Sequence, residues 1–165
     1  MQIGDKNDLL IVNGKINKQL FVISIQVSCI KGEIMWARYF SVKYLDSLDT
    51  NPLEQKQISK LTEGHLLLRE GKYHRGIVVV DEVRVNDYKY FYKKNILLLQ
   101  LNYEAYVEDA FGHVDDIVDG FSTSINRYLR KSEIKKSFHL KRKNFLVVYK
   151  LIINYHKKTR RTISK

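Results

Sequence analysis

The chain has 165 residues, 44% of them hydrophobic and 12% aromatic, which supplies a real core and excludes a disordered chain. Its 29 Lys and Arg against 18 Asp and Glu give a formal charge of +11 and point to an acidic partner. A lone cysteine, Cys29, excludes an internal disulfide framework, and no apolar run reaches the roughly 18 residues of a membrane span.

The N-terminus, Met1 to Asp8, has no basic start followed by an apolar run, so no signal peptide is expected. The chain reads as soluble and intracellular, with an organelle or a viral particle also compatible. Its abundance of Lys, Ile, Asn and Tyr fits an AT-rich coding sequence.

The first element is a short apolar run, Leu9 to Val12, followed by Asn13-Gly14. Both turn residues tolerate the positive φ of a type I′ turn, so a hairpin is predicted. The return strand is predicted to run to about Ile30, with Phe21, Ile23, Ile25, Val27 and Cys29 on one face and Ser24, Gln26 and Ser28 on the other. Cys29 falls on the apolar face and reads as a small core residue. Lys31-Gly32-Glu33 turns the chain. Met35 to Leu45 reads as a third strand, with Trp36, Phe40, Val42 and Tyr44 on a face that Arg38 interrupts, completing an antiparallel meander.

A helix of about three turns follows. Thr50 or Asn51 caps it, Pro52 suits its first position, and Gly64 closes it; Leu53, Ile58 and Leu61 form its stripe. His65 to Leu68 reads as a strand, Arg69 to Gly76 as a loop, and Ile77 to Val85 as a strand. The loop holds Lys72, Tyr73, His74 and Arg75 between two glycines. That grouping suits phosphate contact with a stacking aromatic, but also a solvated hairpin tip, and it lacks Walker spacing. Tyr88 to Lys94 interleaves tyrosines with lysines on a predicted strand. It is either a base-stacking platform, with Lys89 and Tyr90 contributing, or an edge strand blunted by lysines. Asn95 to Tyr106 reads as a central strand.

From Asn95 to Asn126 there is no Lys or Arg, while Glu104, Glu108, Asp109, Asp115, Asp116 and Asp119 fall inside. The Asp109 to Val114 spacing does not supply an EF-hand loop. These acids read instead as helix-start residues, as intramolecular partners for the basic C-terminal arm, or as contacts to a neighbouring subunit. Val114 to about Lys131 is predicted as an amphipathic helix through Val114, Ile117, Val118, Phe121, Ile125, Tyr128 and Leu129, with Gly120 marking close approach to the sheet.

The segment 127–165 carries fourteen Lys and Arg and one acid, Glu133, a charge of +13, so residues 1–126 are −2. Its interior, Asn144 to Tyr155, is almost wholly apolar and is compatible with strand or helix. Lys141-Arg142-Lys143 and Lys157, Lys158, Arg160 and Arg161 lie at its two ends.

No pair of His or Cys has zinc-ligand spacing, and no nucleophile elbow or dinucleotide fingerprint occurs. A metal-dependent nuclease finds its best match at Asp81-Glu82-Val83-Arg84, where arginine stands in the place of the lysine base and does not deprotonate. No cofactor or metal is expected, and an enzyme is disfavoured.

The reading is therefore an α+β fold: a mainly antiparallel sheet, meander plus later hairpin, packed by two or three helices. Residues 1–126 form a near-neutral body and 127–165 a basic arm continuous with its last helix. The expected function is a non-enzymatic nucleic-acid-binding component of a large ribonucleoprotein, with RNA favoured over DNA. The backbone contacts fall to Arg127, Arg130, Lys131, Lys135, Lys136, Lys141, Arg142, Lys143, Lys157, Lys158, Arg160 and Arg161, assisted by Lys72, Arg75, Lys89 and Tyr90. The alternatives are a subunit of a protein assembly, viral or secretory, docking by the apolar-basic arm, and the small nuclease above.

Overall fold

A computed structural model of the chain describes residues 11–84, 88–109, 116, 118–123, 144–155 and 159. It overturns the predicted sheet: 83% of the described residues are helical, and the only strands among them form a two-strand antiparallel hairpin. The chain divides into two compact units, Met1–Leu101 and Asn102–Lys165.

The first unit opens with the predicted hairpin, β1 (Ile11–Val12) and β2 (Lys15–Ile16), with Ile11 opposite Ile16. Asn13 and Gly14 have φ of 53° and 74°, the conformation that a type I′ turn requires. The chain does not continue as a strand. Asn17 accepts hydrogen bonds from the backbone N–H groups of Gln19 and Leu20 through its side chain and starts α1 (Lys18–Lys31). Phe21, Val22, Ile25, Ser28 and Cys29 are buried, a helical stripe in place of the predicted alternation. Gly32, at φ 80°, ends α1, and the Glu33 N–H donates to the Ser28 carbonyl at 2.9 Å.

The predicted third strand is α2 (Ile34–Tyr44), burying Ala37, Phe40 and Tyr44. A 3-10 turn (Leu45–Ser47) leads to Leu48, which bridges Ile16 of the hairpin. Then α3 (Pro52–Arg69) starts as expected, with the Asn51 side chain accepting from the Glu54 N–H at 2.9 Å and Pro52 in the first turn. It runs past Gly64 and absorbs the predicted His65–Leu68 strand. Gly71, at φ 73°, is the residue that turns the chain, with the Lys72 N–H donating to the Leu67 carbonyl at 2.9 Å.

The predicted Ile77–Val85 strand is replaced by α4 (Tyr73–Asp81), so Gly76 lies inside a helix rather than at a loop boundary. The two strands expected between Tyr88 and Tyr106 are one 22-residue helix, α5 (Tyr88–Asp109). Within the first unit, α1, α2 and α3 pack together and α4 packs on α3. Two clusters fill it. One joins Ile16, Phe21, Ile25, Phe40, Tyr44, Ile58 and Leu66; the other joins Leu61, Val80, Val83, Leu97 and Leu101. Cys29 belongs to the first cluster, and burial raises its thiol pKa.

Gly64 and Gly76 lie where helices meet most closely. A Cβ on Gly64 would stand 2.2 Å from Val80 Cγ2, and one on Gly76 would stand 2.6 Å from Leu101 Cδ2. Gly120 is different: nothing lies within 4 Å of its missing Cβ, so the close approach expected there does not occur.

In the second unit, residues 118–123 form α6 and residues 144–155 form α7. The strand alternative for Asn144–Tyr155 is thereby removed. Val118, Phe121, Leu146 and Ile153 are buried. Tyr149 meets the edge of the Tyr103 ring at 5.7 Å between centroids, and burial raises its phenol pKa. The acids between Glu108 and Asp116 lie mostly outside the described residues; the side chains of Glu108 and Asp116 are exposed. No described helix is long and apolar enough to cross a membrane.

Candidate functional site

The polar residues of the first unit gather where α1, α2 and α3 meet. Arg38, on α2, donates from Nη2 to Glu70 Oε1 at 2.6 Å and from Nη1 to Glu63 Oε2 at 3.1 Å. Glu70 also receives Lys72 Nζ at 2.8 Å. The Lys72 contact, followed by Arg38, holds the Glu70 carboxyl below its ordinary pKa. Nearer the hairpin, Lys18 Nζ donates to Glu54 Oε1 at 2.6 Å, and Thr50 donates to the same carboxylate. Lys18, then Thr50, holds Glu54 low as well. Both carboxylates are thus fixed in their charged form beside cations, which suits clamping and not proton transfer.

His65 lies against Gln26, with their nitrogens 2.9 Å apart. Burial, reinforced by Lys93 and Arg69, brings the imidazole pKa down to about 4. The ring keeps partial solvent contact by surface area, so its protonation penalty falls short of a sealed site's. The Cys29 thiol is held protonated. A protonated thiol and paired carboxylates do not make an activated nucleophile with its base. Among the described residues no group of three or more His, Cys, Asp and Glu is placed to hold a metal ion.

One expected result follows from His65. The unfolded chain takes up a proton near pH 6.5, whereas the folded chain resists until about pH 4. Stability from this group is complete above about 6.5 and is lost as pH falls towards 4. The loss should reach roughly 1–2 kcal/mol. Urea unfolding at pH 7.5 and pH 4.5 measures it, and His65→Gln should remove that part of the slope. An unchanged slope in the variant would dissociate His65 from the acid sensitivity.

In the second unit a cleft of about 140 Å³ is lined by Val118, Asp119, Lys150, Ile153 and Asn154. Lys150 Nζ reaches Asp119 Oδ1 at 2.7 Å beside it, so an acid of the lysine-free stretch pairs with a base of the arm. The volume of the cleft lies below the roughly 300–1,000 Å³ usual for ligand pockets.

Of the residues expected to contact nucleic acid, Arg127, Arg130, Lys131, Lys135, Lys136, Lys141, Arg142, Lys143, Lys157, Lys158, Arg160 and Arg161 lie outside the described residues, as does the Lys89 side chain. Lys72 stands at the turn before α4, paired with Glu70, and Arg75 is exposed on the first turn of α4. Tyr90 packs against both hydrophobic clusters of the first unit and touches Glu54. Lys72 and Arg75 are therefore neighbours, while Tyr90 is engaged in the core.

The surface carries features that the predicted strands concealed. On α1, Leu20, Ile23, Val27 and Ile30 are exposed, diametrically opposite the buried stripe. On α2, Met35, Tyr39 and Val42 are exposed. On α7, Val147, Val148, Leu151, Ile152 and Tyr155 are 40% to 68% exposed, along one side of the helix. Apolar residues in such continuous rows make these faces candidate contact surfaces.

Comparison with protein-family models, with curated proteins and with solved structures finds no match to this chain.

Proposed function

We propose that the chain is a non-enzymatic nucleic-acid-binding component of a larger assembly, gripping the phosphate backbone through residues 127–165. The observation that carries this reading is the partition of charge, +13 in that segment and −2 in the rest. The body supports it. Five of its described cations, Lys18, Arg38, Lys60, Lys72 and Lys94, each meet a carboxylate of the same unit, so the charge of those five is compensated at home. Charge available to a polyanion is concentrated in the arm. Helix α7 spans twelve residues, about 18 Å, and in the sequence it falls between the cationic groups 141–143 and 157–161. Cationic groups at both ends of an apolar helical segment suit a folded, shaped polyanion, and RNA is the preferred partner.

Binding of a folded RNA and of a DNA duplex should both fall with salt, by about 10³-fold between 50 and 200 mM if some six phosphates are contacted. Fluorescence anisotropy reads this. Neutralising Lys157, Lys158, Arg160 and Arg161 together to Gln should flatten the salt slope by about 3–4, and Lys141, Arg142 and Lys143 to Gln by about 3. A full-length chain whose affinity for both nucleic acids is weak and insensitive to salt would sink the proposal.

A second reading rests on the exposed aliphatic side of α7: the arm seats in a neighbouring protein subunit, with its cations meeting acidic surface. Leu151→Lys separates the two. A nucleic-acid grip keeps or gains affinity when a cation is added there, whereas an apolar seat loses it.

A further inference from the structure

We propose that the outer face of α1 is a self-association surface that joins two copies of this chain, antiparallel and related by a two-fold axis. The argument begins with the helix itself. α1 is apolar nearly all round: one side packs in the core, and the opposite side carries Leu20, Ile23, Val27 and Ile30, 44% to 70% exposed. Helices of this kind are ordinarily covered on both sides. The four residues are spaced three, four and three apart, the spacing of a helix-on-helix seam.

Charge decides what covers the seam. Along its length it is bordered by Gln19, Ser24 and Gln26, all neutral. Of the two charges on α1, Lys18 is committed to Glu54, and Lys31, four residues beyond Val27, stands at the C-terminal end of the face. One terminal cation gives a polyanion or an acidic protein surface little to hold against the desolvation of four apolar residues. A second copy of the same face is matched to it: the chain carries +11 in total, but two copies meet here without opposed like charges.

The antiparallel arrangement follows from symmetry. A two-fold axis crossing the seam midway between Ile23 and Val27 places Ile23 of each copy against Val27 of the other, and Leu20 against Ile30. Every contact is then apolar, and each appears twice, as an isologous interface requires. The opposed helix dipoles also favour this orientation over the parallel one. The seam from Leu20 to Ile30 is about 15 Å long, so one helix pair buries less than the roughly 800 Å² per partner of a standard stable interface. The dimer is therefore weak, with a dissociation constant on the order of 10–100 µM. It does not draw on the cations of 127–165 and stands apart from the nucleic-acid reading.

Sedimentation equilibrium of the full chain across about 1 to 500 µM tests it. A reversible monomer–dimer equilibrium is expected. Ile23→Lys and Val27→Glu, both at exposed positions, should each weaken the dimer about tenfold or more while leaving the far-UV CD spectrum and the urea midpoint unchanged. An equimolar mixture of the two variants should recover association, because the antiparallel register brings the introduced cation and the introduced anion together. A chain that stays monomeric at 500 µM overturns the proposal, as does a dimer indifferent to Ile23→Lys. A mixture that fails to recover while both variants remain folded overturns the register. Should the chain stay monomeric yet bind phosphatidylcholine vesicles in a manner lost in Ile23→Lys, the face belongs to lipid and the proposal falls.

Discussion

Replacing Gly64 with alanine is expected to destabilise the protein by about 2–3 kcal/mol, although alanine is the better helix former by roughly 1 kcal/mol. The added Cβ would lie 2.2 Å from Val80 Cγ2 and 2.9 Å from Leu97 Cδ2. Both neighbours are fully buried. Leu97 can swing a terminal methyl, but Val80 branches at Cβ and has no free rotamer, so relief requires α3 and α4 to separate. Urea unfolding followed by far-UV CD gives the cost. Val80→Ala removes the clashing methyl, so the double variant should lose less than the sum of the two single losses, with a coupling above about 1 kcal/mol. Gly120→Ala is the contrast. It sits in a helix with nothing within 4 Å, and it should gain a few tenths to about 1 kcal/mol. Equal responses at the two glycines would rule out close packing of α3 on α4 as the reason for Gly64.

What the sequence revealed and what it hid have the same physical root. Local chemistry was legible: the Asn13-Gly14 turn, the Asn51-Pro52 helix start and the Gly32 reversal all depend on one or two residues with strong backbone preferences. The elements between them were not. In 21–29, Phe21, Ile23, Ile25, Val27 and Cys29 satisfy a period of two, while Phe21, Val22, Ile25, Ser28 and Cys29 satisfy a helical period. Both patterns fit because almost every position is apolar or small. β-branched residues tilt such a segment towards strand by propensity, and tertiary packing overrode them. The same conflict recurs in Ile77–Val85 and Ile96–Leu101, which fill the interfaces between α4, α5 and α3. The near absence of breakers, a single proline in 165 residues, points to long elements, and it fits helices better than a meander: long helices need few interruptions, and a many-stranded meander needs many turns.

The misread periodicity also hid the surface. As a strand, 21–29 would bury Ile23 and Val27; as α1, it turns them outward beside Leu20 and Ile30. The candidate docking faces became visible only with the helical register. The cationic character of 127–165, by contrast, rests on composition and does not depend on secondary structure.

Phe40→Ala is expected to cost about 3–5 kcal/mol. Phe40 is fully buried at the centre of an aromatic row on α2. Its ring stacks on Trp36 at 4.8 Å between centroids, meets Tyr44 at 4.8 Å, and reaches across to Phe21 of α1 at 5.6 Å. Trp36, Phe40 and Tyr44 are spaced four apart, so they line one side of α2, and their pairing adds to simple area burial. Truncation opens a cavity between α1 and α2 and removes three ring contacts together. Phe40→Leu keeps most of the volume and should cost about 1–2 kcal/mol, with the difference reporting the aromatic contribution. Trp36 is the chain's sole tryptophan and touches the replaced ring, so its emission should change in native Phe40→Leu protein before any unfolding. Native emission identical to that of the parent, together with a loss below about 1 kcal/mol in Phe40→Ala, would remove the aromatic row as the element that fixes α2 against α1.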